Sequence, residues 1–154
     1  MANRPASLWI GSRRDVLAAG LMLASGSAFA ADPELFTFDT LYKSIGVMGI
    51  IYSDRLLAAK GKLASLTGYM APPLKAESTF FVLTREPMAI CPFCQSDADW
   101  PVDIIVVYLA AITPLVGAGT KVAVTGRIEI GSWTDPETGF VSQLRLRDAE
   151  FHRV

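Results

Sequence analysis

Lys121-Val122-Ala123-Val124-Thr125-Gly126-Arg127-Ile128-Glu129-Ile130 decides the fold class of this 154-residue chain. Val122, Val124, Gly126, Ile128 and Ile130 fall on one side of an extended backbone, and Ala123, Thr125, Arg127 and Glu129 on the other. That period of two is a strand with one buried face. Downstream, Asp135-Pro136-Glu137-Thr138-Gly139 supplies turn chemistry. From Phe140 to Arg147 the alternation resumes, with Phe140, Ser142, Leu144 and Leu146 opposite Val141, Gln143, Arg145 and Arg147. The two segments predict an antiparallel hairpin. Beyond Arg147 the apolar parity moves to Ala149 and Phe151, which one extra residue at Asp148, a β-bulge, would explain, with a strand end there as the alternative.

Working upstream, three further segments read as strands: Lys62 to Met70, Thr79 to Thr84, and Ile104 to Tyr108. Pro72 and Pro73 end the first, because proline cannot continue a ladder. The apolar run Ile104 to Val116 is too short to span a bilayer and is interrupted by Pro114, so it reads as a buried strand. Between Asp39 and Lys60 the chain reads as helical at its ends, with Asp39 as a cap before Leu41 and Tyr42, and Ser53-Asp54 ahead of Arg55 to Ala59. Gly46 and Gly49 weaken the middle, so a strand from Val47 to Tyr52 is the alternative there. The expected fold is mainly β with an N-terminal helical segment: a small five-stranded OB-like Greek-key barrel, with Gly68 and Gly126 permitting sharp coiling. Gly119 to Arg127 and Val141 to Phe151 resemble the closing half of many OB domains, a fold that hosts unrelated functions.

The first thirty residues carry export signals. Arg4, Arg13 and Arg14 form a basic region, Val16 to Leu23 an apolar one, and Ala28-Phe29-Ala30 a small-residue cleavage site. The Arg13-Arg14 pair, with a weakly apolar run diluted by Gly20, Ser25, Gly26 and Ser27, resembles a twin-arginine signal. Residues 1–30 are therefore expected to be a signal peptide, 31–38 a leader, and 39–154 a single domain in the periplasm or otherwise exported. Without residues 1–30 the chain keeps 11 basic and 14 acidic residues, a net charge of −3 with no basic cluster. Nucleic-acid binding is disfavoured, because phosphate contacts need grouped Lys and Arg. No integral membrane segment is expected in the mature chain.

One region does not read as scaffold: Cys91-Pro92-Phe93-Cys94-Gln95-Ser96-Asp97-Ala98-Asp99-Trp100, which holds both cysteines of the chain. A Cys-x-x-Cys pair fits a local disulfide, two ligands of a metal site, or a redox dithiol. For a metal, Cys91 and Cys94 supply half a tetrahedral set, which Asp97, Asp99 or His152 would complete, with zinc or another transition metal as the ion. Folded export favours this chemistry, since thiolates loaded in a reducing cytoplasm would cross already protected. For redox chemistry, Pro92 at a first helical position would favour a thiolate at Cys91. Cys91-Pro92-Phe93-Cys94 resembles the thioredoxin-type motif, but the long helices and mixed-sheet strands of that fold do not follow it. With one histidine and no nucleophile elbow, hydrolytic machinery is absent from the sequence. Asp97, Asp99 and Asp103 could instead form a solvated acidic loop. Trp133, Tyr69 and Phe140 could line a binding face or belong to the core.

Gly68-Tyr69-Met70-Ala71-Pro72-Pro73-Leu74-Lys75, Phe80-Phe81-Val82-Leu83-Thr84-Arg85, Cys91-Pro92-Phe93-Cys94 and Asp99-Trp100-Pro101 together resemble an exported bacterial family of small uncharacterised domains, over most of residues 40–151. The resemblance implies an accessory of ABC-type transport systems, including metal uptake, with an envelope protein or transporter component as partner. Some members of that wider group carry a Cys and a His in the corresponding loop. Here Cys94 stands second and no histidine is near, so a Cys/His site does not carry over. The function expected is that of an exported, non-enzymatic accessory or binding protein acting through the loop from Cys91 to Trp100, with Trp100 as a packing anchor. The alternatives are a periplasmic thiol-disulfide protein with Cys91 as its attacking thiolate, and a structural subunit of an envelope complex.

Overall fold

Strand-forming alternation shapes nearly all of the computed structural model, which describes residues 32–46, 49–73, 77–88 and 101–154. In chain order these form β1 (Glu34–Phe36), a 3-10 turn (Phe38–Thr40), β2 (Tyr42–Gly46), β3 (Gly49–Tyr52), α1 (Asp54–Ala58), β4 (Leu63–Met70), β5 (Glu77–Thr84), β6 (Ile104–Pro114), β7 (Lys121–Thr134) and β8 (Val141–Arg153). The fold is mainly β. Six strands make one sheet in the order β1-β4-β5-β6-β8-β7, and β7 pairs in addition with β4. That additional ladder is long, running from Leu63 opposite Arg127 to Tyr69 opposite Lys121. The β1–β4 and β6–β8 pairs are parallel and the rest antiparallel.

The hairpin of β7 and β8 follows the alternation and extends beyond it in both strands. Thr125 faces Glu150 and Arg127 faces Arg147, so Asp148 and Ala149 together oppose Gly126 alone. This is the bulge expected at Asp148, which takes a left-handed φ of 50°. Only glycine fits opposite it: a Cβ on Gly126 would lie 2.9 Å from the Ala149 Cβ and 3.0 Å from the Arg147 carbonyl. A second irregularity, between Ile130 and Trp133, contains Gly131 at φ 116° and turns the far end of the hairpin.

Of the two ends of Asp39 to Lys60 read as helical, the first is a 3-10 turn followed by a two-stranded hairpin, whose second strand falls within the alternative Val47 to Tyr52, and the second is a helix of five residues. Gly49, at φ 97°, and the β-branched Ile50 and Ile51 favour the hairpin over a continuous helix. Asp39 caps no helix. The 3-10 turn is closed by Thr40, whose hydroxyl donates to the Thr37 carbonyl at 2.8 Å, while Asp39 pairs with Arg85. Ser53 does start α1: its Oγ accepts from the Leu56 amide at 3.1 Å and donates to the Thr40 carbonyl at 2.7 Å.

Alternate residues of the sheet bury two clusters. The larger includes Leu66, Phe81, Leu83, Ile105, Val107, Val124, Ile128, Leu144 and Leu146, and Phe36, Phe38, Leu41 and Leu56 from the N-terminal elements join it. The smaller uses the opposite face of β5 and β6: Phe80, Val82, Ile104, Val106 and Tyr108, with Trp133 and Phe140 packed on it.

Candidate functional site

The loop that carries the cysteines leaves β5 at Thr84 and re-enters at β6, and the strand ends that hold it are tied together. The Arg85 amide donates to the Asp103 carbonyl at 2.9 Å, and Arg85 Nε lies 2.7 Å from the Asp103 carboxylate. The same guanidinium pairs with Asp39 and lies 5.8 Å from the Phe38 ring. The buried Thr84 hydroxyl lies 2.7 Å from the Glu86 carbonyl and 3.1 Å from that of Tyr69, anchoring the first turn of the loop to β4. Asp103, read with Asp97 and Asp99 as an acidic run, is thus engaged with Arg85. Cys91, Cys94, Asp97, Asp99 and Trp100 lie outside the described residues.

His152 stands exposed near the end of β8, opposite Ala123. In the parallel ladder Val106 faces Arg145 and Val107 faces Leu146, which puts Ile104, where the loop returns, toward the other end of β8. Among the described residues no group of three or more His, Cys, Asp or Glu could hold a metal ion. Nor is any described helix long and apolar enough to cross a membrane.

Next to the loop stem, the smaller cluster carries a stacked polar arrangement that alternation alone did not suggest. The Arg147 guanidinium lies 4.0 Å from the Trp133 ring centre and 4.2 Å from that of Tyr108, and its Nε donates to Glu129 at 2.9 Å. Tyr108 stacks on Phe80 at 5.3 Å, Phe80 on Phe140 at 6.3 Å, and Trp133 meets Tyr108 edge-on at 5.2 Å. Arg145 is buried beneath them, 4% exposed. It is paired with Glu129, and its Nη1 donates to the carbonyls of Gly131 at 2.7 Å and Ser142 at 3.1 Å. Burial would raise the Glu129 pKa, but hydrogen bonds from Arg147 and Arg145 outweigh it and hold the carboxyl below its usual range. Burial, and then the neighbouring Asp135 carboxylate, pushes the Tyr108 hydroxyl up, so it stays protonated. Trp133 and Phe140, read as face or core, pack as partly buried members of this cluster, and Tyr69 is likewise partly buried. One signal could have found the arrangement: a hairpin register that sets Glu129 directly opposite Arg145 and beside Arg147.

No family model matches the chain, and no curated protein matches it. A solved structure of a DUF3299 family protein from Pseudomonas aeruginosa PAO1 is similar, with a TM-score of 0.53 over 79% of this chain and 96% of that one, at 14% identity. That family is of unknown function, and at this identity the likeness is one of fold.

Proposed function

We propose that this chain is an exported, non-enzymatic accessory protein whose β scaffold displays the Cys91–Trp100 loop to bind a metal ion or an envelope partner. The observation that carries the reading is the loop stem. Arg85, Asp103 and Thr84 bind the two strand ends to each other and to β4, so the segment between them is presented from a rigid base. The circuit β4-β5-β6-β8-β7-β4, in which only β6–β8 runs parallel, supports the finer assignment of an OB-like Greek-key barrel. In the metal arm, Cys91 and Cys94 are paired soft donors suited to zinc or another transition metal, and Asp97 and Asp99 complete the set. In the partner arm, the cysteines clasp the loop for a transporter component of the envelope.

Thiol counting with elemental analysis on protein recovered from the export compartment tests this. The metal arm expects about one equivalent of a transition metal and two protected thiols, both lost in Cys91→Ser/Cys94→Ser. A metal-free protein with its cysteines joined removes that arm, and a double variant that still functions normally in the envelope removes the loop altogether. Selective alkylation of Cys91 at about pH 6 would overturn the binding reading in favour of thiol-disulfide exchange.

A further inference from the structure

We propose that the outer face of the β7–β8 hairpin binds a phosphate group, held between Arg127 and Arg147. Arginines apart in the chain meet there, because the register sets Arg127 directly opposite Arg147 and Glu129 directly opposite Arg145. Residues so paired share a face, as do Arg127 and Glu129, two positions apart on β7. Three guanidinium groups therefore gather around the Glu129 carboxylate, and one oxygen of that carboxylate already accepts from both Arg145 and Arg147. Like charges directly opposed across a strand pair repel, so the hairpin carries a local positive excess that nothing in its own ladder offsets at Arg127.

Each of the two facing arginines is anchored and keeps donors to spare. Arg147 rests against the Trp133 and Tyr108 rings and commits its Nε to Glu129, while its two Nη groups meet no acceptor among the described residues. Arg127 is exposed and donates from Nη1 to the Gly61 carbonyl at 2.7 Å; its Nε and Nη2 likewise meet none. A guanidinium fixed before a ligand arrives gives up little side-chain entropy on binding, and its paired N–H groups match the oxygens of a phosphate. Ser65 and Thr125 add hydroxyl donors. They are directly opposed in the β4–β7 ladder, two positions along from the Leu63–Arg127 pair on the same face, and both are partly exposed. A tetrahedral oxyanion with two charges suits this donor set better than a carboxylate, which one guanidinium satisfies. A polynucleotide is the poorer occupant, because the exposed Asp148 and Glu150 interrupt the track from Arg147 to Arg153.

Calorimetric titration of the purified protein with inorganic phosphate, at a fixed ionic strength balanced with chloride, tests the site. Saturable binding of about one equivalent is expected. Arg147→Gln should weaken it at least about tenfold, and so should Arg127→Gln, which lies outside the ring cluster and leaves the packing intact. Glu150→Gln, which removes the outward carboxylate opposite Thr125, should tighten it about threefold, and Arg153→Gln should leave it unchanged. Heat that never saturates overturns the proposal, as does equal weakening by Arg127→Gln and Arg153→Gln. The source of the phosphate is read from vesicles of phosphatidic acid in phosphatidylcholine. Retention that Arg127→Gln abolishes identifies a lipid headgroup, whereas a protein that binds inorganic phosphate and ignores the vesicles takes a free phosphate compound. None of these outcomes depends on the cysteine loop.

Discussion

β5 and β6 bury both of their faces, and the two faces are built differently. Phe81, Leu83, Ile105 and Val107 point into a cluster of aliphatic and aromatic side chains drawn from every strand of the six-stranded sheet. Phe80, Val82, Ile104, Val106 and Tyr108 point the other way, beneath Trp133, Phe140 and two arginines. The first face is covered by side chains of the other strands and of the N-terminal elements. The second is closed by the turned end of the β7–β8 hairpin, whose exposed positions must be polar, and guanidinium groups satisfy both demands: flat, weakly hydrated faces for the rings and donors for Glu129 and the backbone. One layer is specified by shape and the other by directed polar contacts.

Truncation separates the two most strongly. Phe81→Ala empties a fully enclosed site and should cost about 3–5 kcal/mol, read as a lowered denaturation midpoint. Trp133→Ala removes a partly buried ring and its contacts with Arg147 and Tyr108, and about 1–2 kcal/mol is expected. Equal losses would mean that the outer layer is as integral to the fold as the inner one.

A test internal to the outer layer comes next. Arg145→Ala takes one of two arginine partners from the partly exposed Glu129 and removes the donor to the Gly131 and Ser142 carbonyls, at a cost of about 1–3 kcal/mol. Arg145→Lys should recover little, because an ammonium cannot reach Glu129, Gly131 and Ser142 together. Full rescue by lysine would reduce the arrangement to a question of charge alone.

The inner layer was legible and the outer one was not, for a physical reason. Period-two alternation reports which residues face a single core, and it placed the β7–β8 hairpin and the bulge at Asp148, where parity slips by one residue. It reports nothing about a second covered face, so Arg145 and Arg147 read as outward polar positions until their register with Glu129 is known. The β2–β3 hairpin was obscured because its runs are short enough for helix and strand periods to fit equally, and Gly49 breaks one pattern while enabling the other. Of the candidate site, the stem escaped sequence reading altogether, since nothing local couples Arg85 to Asp103 or to Asp39. Of the metal donors proposed from sequence, only His152 lies among the described residues.

The gentlest probe of the same contrast is acid. Burial works against ionisation of Asp135, but its Oδ1 accepts from the Thr138 amide at 2.9 Å, the Thr138 hydroxyl at 3.0 Å and the Glu137 amide at 3.0 Å, and these donors hold its pKa below the usual value. A carboxyl depressed in the folded state stabilises that state above its unfolded pKa of about 3.9 and loses the contribution as pH falls through the lower folded value. Glu129, depressed by the two arginines, acts in the same direction. Asp135→Asn keeps one acceptor for the turn but no charge, so it should cost about 1 kcal/mol at neutral pH and flatten the loss of stability below about pH 4. Phe81→Ala, which touches no titrating group, should lower the stability curve without changing its acid slope. If the two variants shift the curve in parallel, the hairpin end contributes packing alone, and the distinction between the layers reduces to the identity of their apolar atoms.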